Sequence, residues 1–103
     1  MSVTVIHQPR VAWDAARMMI SSCMTGHFGW MCDHIGDLFG PEYANALWQT
    51  LMHLQHSERD DIREVEMGLW RVRFEDAMLG NPALTAQLHA VVLEARARIS
   101  AHS

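Results

Sequence analysis

Three junctions, Gly40-Pro41, His56-Ser57 and Gly80-Asn81-Pro82, cut this chain into segments that each carry a helical apolar period. Glycine suits the residue that ends a helix, because it enters the left-handed region without a Cβ penalty. Proline suits the first turn of the next helix, where its missing N–H is not needed. A sequence punctuated this way predicts an all-α fold, an antiparallel helical bundle of four helices, or five if the first segment breaks. At 103 residues it has the length of one domain. Residues 1–9 are set apart as a flexible or arm-like N-terminal segment, with a β-like run at Val3, Val5 and Ile6 that Pro9 ends. Residues 10–103 form the bundle domain.

Within residues 10–39, Ala12, Ala16, Met19, Ile20 and Cys23 recur at steps of three and four, and the phase continues through His27, Met31, His34, Ile35 and Leu38. Gly26, Gly29 and Gly36 weaken a continuous helix, each by about 1 kcal/mol relative to Ala. One long helix and two shorter ones both remain open. A break at Thr25-Gly26, with Thr25 capping the second piece, is preferred. The next segment, residues 41–56, places Tyr43, Leu47, Leu51 and Leu54 on one stripe, widened by Ala44 and Trp48. Ser57 is expected to cap the third, with Glu58, Asp60 and Asp61 at the positive end of its dipole. Ile62, Val65, Leu69 and Val72 form one seam there, and Trp70, Phe74 and Met78 a second row beside it. Two rows imply two neighbouring helices. The final segment carries Leu84, Leu88, Val91, Ala95 and Ile99, with Arg96 and Arg98 near its negative end.

Half of the residues are apolar and four are Trp, a heavy load for so small a chain. Self-association, as a homodimer, is the expected outlet. The tryptophans are expected to anchor the core. The net charge of −4 argues against nucleic acid, whose phosphates demand clustered basic residues. All eight basic residues are Arg, which excludes a Lys Schiff base or a phosphate-loop Lys within this chain. The start of the sequence lacks a basic region followed by an apolar one, and no apolar run is long enough to span a bilayer. A cytoplasmic location with reduced thiols and no membrane partner is therefore expected.

Chemistry concentrates between Cys23 and His34. Cys23, His27, Met31 and His34 share one face if the helix is continuous, and such soft and imidazole donors suit copper or zinc. Spread over about 16 Å of helix, they cannot enclose one ion alone. His53 and His56 are the intramolecular donors that could complete a site, so the candidate metal ligands are Cys23, His27, His34, His53 and His56. Opposed to this stands the simpler reading that Cys and Met fill the core and the histidines sit at its edge. Adjacent residues on a helix point about 100° apart, so Cys32 and His34 do not face each other, which speaks against a Cys–His nucleophile. Asp33, Asp37 and Glu42 are read as solvated and capping carboxylates, and residues 58–66 as a solvated charged face.

From Met24 onward, Met24-Thr25, Trp30, Asp37-Leu38-Phe39-Gly40, Trp70, Arg73 and Asn81-Pro82-Ala83-Leu84 leading into Leu88 and Glu94 resemble a group of short actinobacterial helical proteins. The resemblance covers about three quarters of the chain. It departs at Gly26-His27, where that group has a Thr/Ala-Asp-like pair, and in the added Cys and His residues. It implies a helical fold and a bacterial origin, and it carries over no activity and no site residue.

The sequence thus reads as a non-enzymatic, self-associating interaction or assembly module with no cofactor and a homo-oligomeric or protein partner. Two alternatives stand beside it: a metal- or small-ligand-binding helical protein, and a small accessory protein or enzyme of a biosynthetic pathway with a pocket among the tryptophans.

Overall fold

A computed structural model of the chain describes residues 7–101. Five helices follow one another: α1 (Gln8–Thr25), α2 (Phe28–Phe39), α3 (Pro41–His56), α4 (Ile62–Gly80) and α5 (Leu84–Ala101). The expected all-α bundle is present, in its five-helix form. The run Val3, Val5 and Ile6 lies outside the described residues. Pro9 belongs to the first turn of α1, so the helix begins before the boundary read at residue 10.

The preferred break between α1 and α2 occurs where Gly26 takes φ +82°, a left-handed conformation that closes α1. Thr25 does not cap α2. It is the last residue of α1, where its hydroxyl donates to the Ser21 carbonyl at 2.7 Å. The residue at the cap position of α2 is His27, two residues further on, so Thr25 lies too early in the chain to cap that helix. Between α2 and α3 only Gly40 intervenes. Its φ of +99° and ψ of 171° fall in a region essentially restricted to glycine, and its N–H donates to Gly36 O at 2.8 Å.

The α4 start also differs from the sequence reading. Ser57 opens a turn, accepting from the Arg59 N–H at 3.1 Å, and regular helix begins only at Ile62. Arg59 closes that turn onto Asp61 with bonds of 2.9 and 3.0 Å. The carboxylate competes for the chain with helical geometry, which is why the acidic stretch forms a turn.

Helix α1 occupies the middle and touches all four others, with α4 and α5 as its main neighbours. Its buried residues, Val11, Ala12, Ala15, Ala16, Met19, Ile20 and Ser22, cover a wide arc dominated by small side chains. α2 and α3 pack on each other and across α1, bringing Met31, Ile35 and Leu47 into the same core. On α4 the buried row is Glu66, Trp70, Phe74 and Met78. On α5 it is Thr85, Leu88, Val91, Val92 and Ala95. Phe39, Tyr43, Trp70 and Phe74 form a chain of ring contacts, with centroids 4.8 Å apart for Phe39–Tyr43 and 5.3 Å for Trp70–Phe74, joining α2, α3 and α4. The ends of α1 and α5 are tied by Gln8 Nε2 donating to Thr85 Oγ1 at 3.2 Å, and their middles by Arg96 beside Asp14.

Two expectations about the core fail. Of the four tryptophans only Trp70 is fully enclosed. Trp13 and Trp48 are 41% and 53% exposed, and Trp30 is partly covered by the Arg98 guanidinium 4.8 Å above its ring. The seam of Ile62, Val65, Leu69 and Val72 does not bury against a neighbour either. Val65, Leu69 and Val72 are all exposed. One side of α4 suffices to fill the space against α1, and the row on its far side is left facing outward.

The central role of α1 rests on side-chain size. Ala15 is fully buried, and Ala15→Leu is expected to destabilise the fold by about 1–3 kcal/mol through overpacking. Ala90→Leu, at an exposed position of α5, is expected to be nearly neutral. Urea denaturation of the two variants checks the contrast.

Candidate functional site

The outward row of α4 borders a cleft of about 570 Å³ between the end of α3 and the start of α4. Met52, His53 and His56 approach from α3, Ile62, Val65, Glu66 and Leu69 from α4, and Ser57 from the turn. The cleft exists because α3 and α4 touch sparsely, joined chiefly by Trp70, whose indole N–H donates to Thr50 Oγ1 at 2.8 Å in a buried contact. Thr50 in turn donates to Ala46 O at 3.2 Å, so both polar groups of this contact are satisfied.

At the base of the cleft Glu66 is 3% exposed and hydrogen-bonds through Oε1 to His53 Nδ1. A carboxyl group placed there needs a hydrogen-bond partner, and the His53 imidazole supplies it. This corrects the reading of residues 58–66 as a uniformly solvated face. The step of four from Glu66 to Trp70 to Phe74 places Glu66 on the buried row, a signal present in the sequence but masked by the surrounding charges. Asp33, Asp37 and Glu42 are exposed, as expected.

The five residues proposed as metal ligands fall in different surroundings. His53 and His56 line the α3–α4 cleft. His34 Nδ1 donates to Trp30 O at 2.9 Å, and its ring stacks on Trp30 with centroids 4.1 Å apart. His27 Nδ1 lies 3.1 Å from Thr25 Oγ1. Cys23 packs against the core. Among the described residues no three His, Cys, Asp or Glu side chains come together in a group that could hold a metal ion. The break at Gly26 explains much of this, because it ends the single helical face that Cys23, His27 and His34 would have shared.

Both thiols are free. Burial pushes the Cys23 thiol up to about 12, with smaller contributions from Cys32 and Glu66. Burial also raises Cys32, with Asp33 adding, and Cys32 Sγ faces the Ala44 carbonyl at 3.7 Å. Thiols shifted in this direction are poor nucleophiles at neutral pH. Tyr43 is likewise raised, first by burial, while its hydroxyl donates to Arg73 O at 3.3 Å. The cleft itself offers apolar contact area, a buried carboxyl group paired with an exposed imidazole, and a serine that accepts a hydrogen bond within its own turn.

No helix among the described residues is long and apolar enough to cross a membrane. Comparison of the chain with protein-family models, with curated proteins and with solved structures gives no match.

The raised Cys23 thiol fixes a pH dependence. The native chain holds this proton to higher pH than the unfolded chain. The associated stability is complete below pH 9 and declines as pH rises from about 9 toward 12. Cys23→Ala is expected to make that decline shallower without abolishing it, since Tyr43 acts with the same sign. Urea midpoints measured across this range check it. In the Cys32→Ser variant, alkylation of the remaining thiol at pH 8 is expected to be far slower in the native state than in urea.

Proposed function

We propose that this chain is a non-enzymatic helical interaction module that self-associates through the outward face of α4. The observation that carries the reading is the solvent exposure of Val65, Leu69 and Val72, at 36%, 49% and 46%, on a helix whose opposite row is already buried. Met52, 48% exposed, extends the patch across the cleft from α3. Isolated exposed apolar residues are ordinary, but a contiguous apolar patch rimmed by charge is a common mark of an interaction site.

The spacing adds support. Ile62, Val65, Leu69 and Val72 follow steps of three, four and three, which is the alternation that lets one helix seat against another. Charged and polar residues border the row: Glu64 and Asp76 on α4, Gln49 and His56 on α3, all exposed. An apolar centre with a polar rim has the anatomy of a protein–protein contact.

Light scattering coupled to size exclusion is expected to give a dimer at micromolar concentration. Leu69→Glu is expected to shift the protein to monomer, with at least a tenfold rise in dissociation constant and unchanged helical circular dichroism, because the side chain faces solvent in the single chain. A native protein that stays monomeric at several hundred micromolar would overturn the reading.

A further inference from the structure

We infer that the outer face of α1 is a binding site for a small anion that carries a flat aromatic ring. The site uses no residue of the outward α4 row and is independent of self-association. Arg10, Trp13, Asp14 and Arg17 recur at steps of three and four, which places them on one side of α1. With His7 and Pro9 they line a cavity of about 420 Å³. That volume lies within the range of small-ligand pockets, roughly 300–1,000 Å³. Trp13 is exposed there, and its ring is held from the side by α4: the Arg71 guanidinium lies 5.2 Å from the ring centroid. Arg71 does not line the cavity, so the indole is steadied by one neighbouring helix and borders the open space through the rest of its surface.

Charge fixes the sign of the ligand. The chain carries −4, yet four of its eight arginines, Arg10, Arg17, Arg71 and Arg96, gather around Trp13 and Asp14. Two carboxylates meet them. Glu75 accepts two bonds of 3.1 Å from Arg71 and balances it. Asp14 Oδ1 is shared by Arg17 at 3.8 Å and Arg96 at 3.4 Å, so one negative charge faces two positive ones. The exposed Arg10 guanidinium has no ion pair or hydrogen bond among the described residues. Arg10, Arg17 and Arg96 set against Asp14 thus leave two positive charges in excess beside the cavity. A guanidinium fork binds a carboxylate or a phosphate through paired N–H donors, and an indole takes a second aromatic ring in offset stacking. Arg10 and Arg17 stand on either side of Trp13, about 10 Å apart along the helix axis. A ring placed on Trp13 therefore brings an attached anionic group to one guanidinium or the other. A neutral ring would leave the guanidiniums unused, and a bare ion would leave the indole unused.

Calorimetric titration of the full chain at low salt tests the site with four probes. AMP and 2-naphthoate join a ring to an anion; adenosine and inorganic phosphate offer each part alone. At least one of the ring-bearing anions is expected to bind with a submillimolar Kd, and adenosine and inorganic phosphate at least tenfold more weakly. Whichever of AMP and 2-naphthoate binds more tightly identifies the charged group as phosphate or carboxylate. Arg10→Gln and Trp13→Leu are each expected to weaken the tighter probe at least fivefold, with helical circular dichroism unchanged. Arg63→Gln removes an exposed charge from α4 and is expected to leave the affinity as it was. Failure of both ring-bearing anions to bind at several millimolar would overturn the inference. So would adenosine or phosphate binding as tightly as they do, or an equal loss in Arg63→Gln and Arg10→Gln, which would mark a diffuse charge effect. Light scattering on the same samples reads the oligomeric state separately, so neither result decides the other.

Discussion

The structure depends on the close packing of α1 against four neighbours at once. A helix in that position keeps only a narrow outer face, marked by the exposed Arg10, Trp13 and Arg17, and it cannot carry bulky side chains on every side that meets a neighbour. Ala12, Ala15 and Ala16, all fully buried, let other helices approach near its backbone, while Val11, Met19 and Ile20 supply the larger contacts. Interaxial distance follows the size of the side chains at the contact, so a run of alanines draws the bundle in. The arrangement also sets how much of each outer helix is covered. α4 and α5 each press one face on α1, and their far faces turn to water.

That division has its largest consequence on α4. Its inner row includes a carboxylate, Glu66, and an indole N–H, and both groups have partners on α3: His53 and Thr50. Left unpaired in the interior, either group would cost about 1–3 kcal/mol or more. These two contacts, with the ring cluster of Phe39, Tyr43, Trp70 and Phe74, hold α3 against α4 where direct helix packing is sparse. The same sparseness leaves the cleft open and the apolar row of Val65, Leu69 and Val72 uncovered. The surface proposed for self-association is thus a by-product of the polar joints that tether its helix.

Residues with strong local preferences were readable in advance. Gly26 and Gly40 stop helices because backbone sterics reserve positive φ for glycine, and this holds whatever surrounds them. The α5 row of Leu88, Val91 and Ala95 and the α1 row of Ala12, Ala16 and Met19 were equally plain, since each helix has one apolar arc to bury. Ser57 misled because its hydroxyl has two local uses, a helix cap and a turn, and the Arg59–Asp61 pair favours the turn. Trp48 misled because a large aromatic is bought by core and surface alike. Its ring lies edge-on to Phe28 at 4.7 Å while more than half of the residue remains exposed.

The candidate site was legible only in parts. His53 and His56 could be named from their spacing, but Glu66 was hidden among charges and the cleft does not exist until α3 and α4 are set side by side. Periodicity reveals that a helix has an apolar row. It does not reveal which of two rows meets a neighbour, because that depends on the volume the other helices leave. The sequence by itself determined the helices, their stops and the all-α class, through short-range sterics and hydrogen bonding. Only the tertiary structure decided that Trp70 and Phe74 turn inward, that Leu69 and Val72 turn outward, and that the Cys23–His34 segment bends instead of presenting one face. Those choices follow from packing around α1, a property of the whole chain and of no single segment.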